Sequence, residues 1–178
     1  MRGAWIVVVV ALLGLGASGC SDDDGAGPAS TTVKQGTVLQ VDDIPAAVAA
    51  VEAERGGPQQ YAEINATPEG VNLFVAAGAD EELAFFYRSA GPALEPPESP
   101  TPLSSAPFPL DGIDLAIAPG LVQQVQDEFP GSEVVQVALV QLPDQGVVWG
   151  VRSRSPMGGL LNVFFSPTGA NLAVDPAG

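Results

Sequence analysis

The sequence predicts an α+β protein built as two tandem units, each a helix followed by three or four antiparallel strands. Three observations carry this expectation. Pro119 opens a short helical pattern that Pro130-Gly131 closes, and strand-like runs follow, separated by PDQG (143–146), SPMGG (155–159) and SPTG (166–169). An earlier stretch, Pro45 to Leu94, runs through the same plan. Matching residue types also recur at a nearly constant step: Pro45 and Pro119, Val48 and Val122, and Val51 and Val125 are 74 apart. Gly70 and Gly146, and Leu73 and Trp149, are 76 apart, while Phe86 and Phe164, and Gly91 and Gly169, are 78 apart. The step lengthens only across turns, as a duplication with small insertions would behave.

Taken in order, the chain begins with Arg2, an apolar run from Trp5 to Leu13 and a small-residue stretch to Gly19. A charged start, a short apolar segment and small residues before a cleavage point describe a secretory leader, and the run is short for a membrane span. Ala17-Ser18-Gly19-Cys20 resembles a bacterial lipobox, which implies lipidation of Cys20 as the mature N-terminus. The alternative is an ordinary leader with a chance cysteine. Two acyl chains suffice for stable anchoring, so the resemblance implies an extracytoplasmic chain attached to a bacterial membrane through its N-terminal lipid.

Residues 1–19 are therefore expected as the signal peptide and 20–40 as a tether rich in Asp, Gly, Pro, Ser and Thr. Asp22-Asp23-Asp24 lacks the spaced glycine and distal glutamate of a calcium loop, so a solvated charge run is the better reading. A short edge strand is expected over 37–41.

The first unit, 41–94, starts with acidic residues at the helix dipole and a proline in the first turn, Asp42-Asp43-Ile44-Pro45. Ile44, Ala47, Val48 and Val51 recur at helical spacing, Glu52 and Glu54 turn outward, and Gly56-Gly57-Pro58 stops the helix. Strands follow at Tyr61 to Ala66, Val71 to Val75 and Leu83 to Tyr87, with a turn at Thr67 to Gly70 and an acidic loop at Gly78 to Glu82. Seven prolines between Gly91 and Pro109 make 95–116 a stiff linker or surface loop.

In the second unit, 117–178, Leu121, Val122, Val125 and Phe129 form the apolar stripe of a helix. Gln123, Gln124, Asp127 and Glu128 form its wet side. Leu121 to Gly131, a strand pair about Gly146, and Val163 to Gly169 together resemble a PepSY-like unit. That resemblance implies a short helix ending at Pro-Gly and packed on an antiparallel sheet, whose last hairpin carries a polar turn with glycine. It also implies an interaction role, by analogy of fold alone.

Composition narrows function further. The chain has 21 acidic residues against 6 basic ones and a formal charge of −15, or −16 once Arg2 leaves with the leader. That sign argues against nucleic acid as a partner. Histidine is absent, Cys20 is the one cysteine, and the single lysine, Lys34, lies in the tether. The usual general bases and activated nucleophiles are missing, and no cofactor is implied. A mechanism with paired carboxylates stays formally open.

Both faces of Val134 to Leu142 are apolar, with Val135, Val137 and Leu139 in one set and Val134, Ala138, Val140 and Leu142 in the other. A helix covers one face, so the other either packs on a second sheet or loop, or is left as an apolar surface or pocket for a ligand. Candidate binding residues are Trp149, Arg152 and Arg154, since Trp and Arg are favoured anchors. Alternation nevertheless sets Trp149 with Val147 and Val151, opposite Arg152, which reads as core, and lets the arginines steady nearby acidic loops.

The reading is a membrane-anchored extracytoplasmic lipoprotein that acts as a non-catalytic binding or envelope-assembly module, with a protein partner in the envelope. The alternatives are a carrier of a small hydrophobic molecule or lipid, and a hydrolase using paired carboxylates.

Overall fold

The computed structural model describes residues 38–91, 93–97 and 99–177. These belong to one compact unit. The expected signal peptide, the lipid site at Cys20 and the expected tether as far as residue 37 lie outside the described residues.

Helix α1 spans Ile44–Arg55, with Pro45 in its first turn, where a missing N–H costs nothing. Ile44, Ala47, Val48 and Val51 form its buried face. Gly56 ends it in the left-handed conformation, φ 81°, and the Gly57 N–H closes on the Glu52 carbonyl at 2.8 Å. The edge strand expected at 37–41 is absent among the described residues. Val41–Asp43 is instead a 3-10 turn leading into α1, and it buries Val41. Two aspartates ahead of Pro45 favour a helix start over a ladder. Gln40 is pinned separately, its N–H donating to the Thr67 carbonyl at 2.9 Å and its side-chain amide to the Pro68 carbonyl at 3.1 Å.

Strands β1 (Tyr61–Ala66), β2 (Gly70–Ala76) and β3 (Glu81–Arg88) form a meander. Two short strands, β4 (Ala93–Glu95) and β5 (Thr101–Pro102), both add to β3. Helix α2 (Ala118–Glu128) follows, then the meander β6 (Glu133–Leu142), β7 (Gly146–Arg154), β8 (Leu160–Phe165) and β9 (Asn171–Ala177).

The two tandem units of the sequence reading are not what forms. All nine strands make one sheet in the order β4-β3-β2-β1-β6-β7-β8-β9, with β5 beside β3. The seam is β1 against β6, antiparallel, pairing Glu63 with Val140, Ile64 with Leu139, Asn65 with Ala138 and Ala66 with Val137. Each separate meander would leave a long unpaired edge, and joining them removes both edges at once. The result is a sheet-dominated fold with two short helices rather than two helix-plus-sheet bodies.

Both helices contribute to one continuous core, α1 against β1 to β4 and α2 against β6 and β7. Ile64, Leu73, Phe85, Leu139, Trp149 and Phe165 supply the sheet side of that core. A β-bulge between Val134 and Gln136 resets the alternation of β6. Val134 therefore joins Val137 and Leu139 in the core, whereas strict alternation had grouped Val135 with them.

The expected linker at 95–116 is partly woven into the structure. Phe108 exchanges backbone hydrogen bonds with Tyr61, both at 2.9 Å, and is only 1% exposed. The acidic loop also ends sooner than expected, because Glu81 and Glu82 already belong to β3. Glu82 is buried, and its Oε2 accepts from the Ser104 backbone N–H at 3.0 Å and the Ser104 hydroxyl at 2.9 Å. Ser105 adds a hydroxyl bond to the Ala62 carbonyl at 2.5 Å. Proline removes ladder donors, but it leaves the intervening serines and Phe108 free to dock.

Candidate functional site

The helices cover one face of the sheet, and the strand register identifies what stands on the other. Moving across the strands, one row reads Phe86, Asn72, Asn65, Ala138, Gly150, Phe164 and Ala173. A second row reads Gln136, Arg152, Asn162 and Asp175. These side chains point away from the core because their chain neighbours, such as Leu73, Leu139, Val151 and Phe165, point into it.

The first row places aromatic rings toward its ends and small or amide side chains at its centre. The Phe164 ring lies over Gly150, where an added Cβ would stand 3.6 Å from Cε1. On the other side Phe86 lies beside Gly70, whose position is tighter still, since a Cβ there would meet the Tyr87 carbonyl oxygen at 2.0 Å. Between them runs a short hydrogen-bonded chain. The Asn72 amide donates to Asn65 Oδ1 at 2.9 Å, and the Asn65 amide donates to Glu63 Oε1 at 2.7 Å. Such a chain fixes amide orientation and presents a defined pattern of donors and acceptors.

Beside this row is a shallow hollow of about 360 Å³, whose lining includes Asn65, Thr67, Gln136, Arg152, Arg154 and Leu160. Arg152 Nε donates to Asn162 Oδ1 at 2.9 Å, which aims the guanidinium along the sheet surface. Arg154 reaches Glu133 at 3.6 Å with both side chains largely exposed, a contact worth about 0–1 kcal/mol. Guanidinium donors beside an apolar wall suit a carboxylate carried on a small apolar body. A second hollow of about 370 Å³ lies at Gln40, Pro68, Glu69, Arg88 and Ser89. Arg88 there is paired with Glu95 and stands 5.7 Å from the Phe86 ring centre.

Of the three candidates named from sequence, Arg152 and Arg154 come together in the first hollow. Trp149 does not join them. It is fully buried on the helix side of β7, opposite Phe165, with its indole N–H unpartnered among the described residues. Gln136, Asn65, Asn72, Phe86 and Phe164 were missed. A signal for the asparagines was present: Asn65 and Asn72 flank the Thr67–Gly70 turn at hairpin-partner positions, which puts them side by side on one face.

Tyr61 is the one titratable side chain among the described residues with a distinct shift. Its hydroxyl is buried without a partner among the described residues, and burial pushes its pKa upward, with the charge of Glu52 adding to the effect. It stays a neutral phenol at ordinary pH. Among the described residues no group of three or more His, Cys, Asp or Glu is placed to hold a metal ion. No helix there is long and apolar enough to cross a membrane. No protein-family model, no curated protein and no solved structure matches the chain.

Proposed function

We propose that the protein is a non-catalytic binding module of a bacterial cell envelope, held at the membrane by a lipid on Cys20, and that it receives a protein partner on the helix-free face of its sheet. The observation that carries this reading is the make-up of that face. Half-buried Phe86 and Phe164 and exposed Arg152 and Arg154 stand there around an ordered Asn72–Asn65–Glu63 chain. Aromatic rings and arginines are the side chains that most often anchor partners, and an ordered polar centre supplies register. The anchor rests on the leader and on the Ala17-Ser18-Gly19-Cys20 sequence.

A lipid carrier would need an enclosed apolar cavity, whereas both hollows described above are shallow and carry an arginine. A hydrolase would need two carboxylates converging in a cleft. Glu82, the buried acid among the described residues, is committed to Ser104.

Two measurements test the proposal. Metabolic acyl labelling should mark the wild type and disappear in Cys20→Ser, with release from the membrane or an uncut leader; labelling that persists overturns the anchor. A photocrosslinking residue at Phe164 or Gln136 should trap the same partner, and Arg152→Glu with Arg154→Glu should abolish the capture. Equal capture from Glu54, on the outer side of α1, would reject the helix-free face as the binding surface.

A further inference from the structure

The first hollow exists because two paired strands end at different places. Pairing of β1 with β6 stops at Ala66 and Val137, and the chain then turns back. The Thr67 N–H closes on the Gly70 carbonyl at 2.8 Å, and the Thr67 carbonyl is taken by the Gln40 N–H at 2.9 Å. β6 nevertheless extends back to Glu133, and Glu133, Val134 and Gln136 pair with β7 alone among the described residues. A notch is left in the sheet between Thr67-Pro68 and Val135-Gln136. It is a poor template for a strand, because Val135 is the extra residue of the β6 bulge and interrupts the ladder there.

The side chains around the notch combine charge with an aliphatic wall. Arg152 and Arg154 alternate onto the same face of β7, so two like charges are neighbours. Acidic residues outnumber basic ones 21 to 6 in this chain, yet these two cations are barely neutralised. Arg154 meets Glu133 at 3.6 Å with both side chains largely exposed. Arg152 gives its Nε to Asn162 and has no ion pair among the described residues, which leaves its terminal nitrogens for an acceptor. Neighbouring like charges on a sheet repel, and a bound anion offsets that repulsion. Leu160, opposite Arg154 in the ladder, and Val135 supply the apolar wall.

We propose that this notch is a carboxylate-binding site that takes the free C-terminal residue of a partner chain, one with an aliphatic side chain. Arg152 and Arg154 share the carboxylate, since guanidinium forks match its two oxygens. Leu160 and Val135 pack the side chain, and the Gln136 amide faces the last peptide group. Asn65, which lines the notch and is tied to Asn72 at 2.9 Å, leads the preceding residues onto the open face. Inorganic phosphate would leave the aliphatic wall unused. A free small molecule would keep much of its surface in water in so shallow a hollow, whereas sites for such ligands bury most of them. A chain end gains its remaining contacts from the residues behind it. The assignment deepens the partner reading above and rests on it for the source of that chain end.

The test uses the full-length chain with Cys20→Ser and N-acetyl-leucine as the stand-in for a chain end, followed by NMR. N-acetyl-leucine should shift the Nε–H signals of Arg152 and Arg154 with an affinity on the order of millimolar. N-acetyl-leucinamide should bind about tenfold more weakly, having lost the charge-assisted bonds. In Arg152→Gln with Arg154→Gln, the affinity read from the Leu160 methyl signals should fall by about tenfold or more. The melting transition should be retained, since both side chains are exposed. N-acetyl-trialanyl-leucine should bind about tenfold tighter than N-acetyl-leucine, because its added residues reach Asn65 and Asn72. The assignment is overturned if acid and amide bind alike, if inorganic phosphate shifts the arginine signals as strongly as N-acetyl-leucine, or if the longer peptide gains nothing. A failed titration with a partner still trapped from Phe164 removes the carboxylate site and leaves the partner face. A successful one with no partner trapped keeps the chain-end site and removes the partner face.

Discussion

Phe164 and Phe165 are neighbours in β8 and face opposite sides of the sheet. Phe165 is fully buried against Trp149 and the rest of the core. Phe164 is half-buried over Gly150 on the face without helices. The same side chain therefore does two jobs one residue apart, and the difference lies in what covers each face. Two helices and Phe108 seal one side. The other keeps its rings, amides and arginines within reach of solvent. Stability is concentrated on the sealed face, and the partner proposed above is assigned to the open one.

The largest test of that contrast is the pair of truncations. Phe165→Ala should destabilise by about 3–5 kcal/mol, the usual cost of emptying a buried aromatic site. Phe164→Ala should cost about 1–2 kcal/mol, because its half-buried ring gives up less protected area. Urea denaturation of both variants measures the gap, and equal losses would mean that the open face is covered in solution.

A smaller effect is expected inside the core. Tyr61 holds its proton in the folded chain beyond the ordinary tyrosine value of 10.0, whereas the unfolded chain releases it there. Folding stability should be unaffected below about pH 10 and should fall above it, by up to about 1.4 kcal/mol per pH unit. Tyr61→Phe should remove that part of the slope. At neutral pH it should leave stability level or slightly raised, since the hydroxyl it deletes has no partner among the described residues. Thermal melts of both proteins at pH 8 and pH 11 make the comparison.

The smallest effect belongs to the open face. Arg154→Ala should change stability by less than about 1 kcal/mol, because its contact with Glu133 is long and exposed. The same substitution should weaken partner capture, and that split between stability and binding would sharpen the contrast between the faces.

Much of the local structure was legible because it depends on local chemistry. The helix at 44–55 follows from apolar residues at helical spacing between Pro45 and Gly56, and each of the turns at 67–70, 143–146, 155–159 and 166–169 carries its glycine or proline. The joining of β1 to β6 was hidden, because strand pairing uses backbone groups that every residue carries, and Ile64 bears no mark that its partner is Leu139. The bulge at Val134 to Gln136 was equally silent, and it overturned the grouping of Val135 with Val137 and Leu139. Phe108 was obscured by the prolines around it. At the candidate site, Arg152 and Arg154 stood out as cations in an acidic chain. Gln136, by contrast, reaches the same hollow only through the β6–β7 register.

The seam between β1 and β6 also places a demand on the chain as it is made. β1 is complete at Ala66, but the strand that closes its outer side begins only at Glu133. Synthesis at about 5–20 residues per second leaves that edge waiting for several seconds. Throughout that interval the N-terminal meander is a sheet with an open side, able to accept a foreign strand in place of β6. The central seam therefore keeps a strand waiting for its partner longer than any of the hairpin pairings on either side of it.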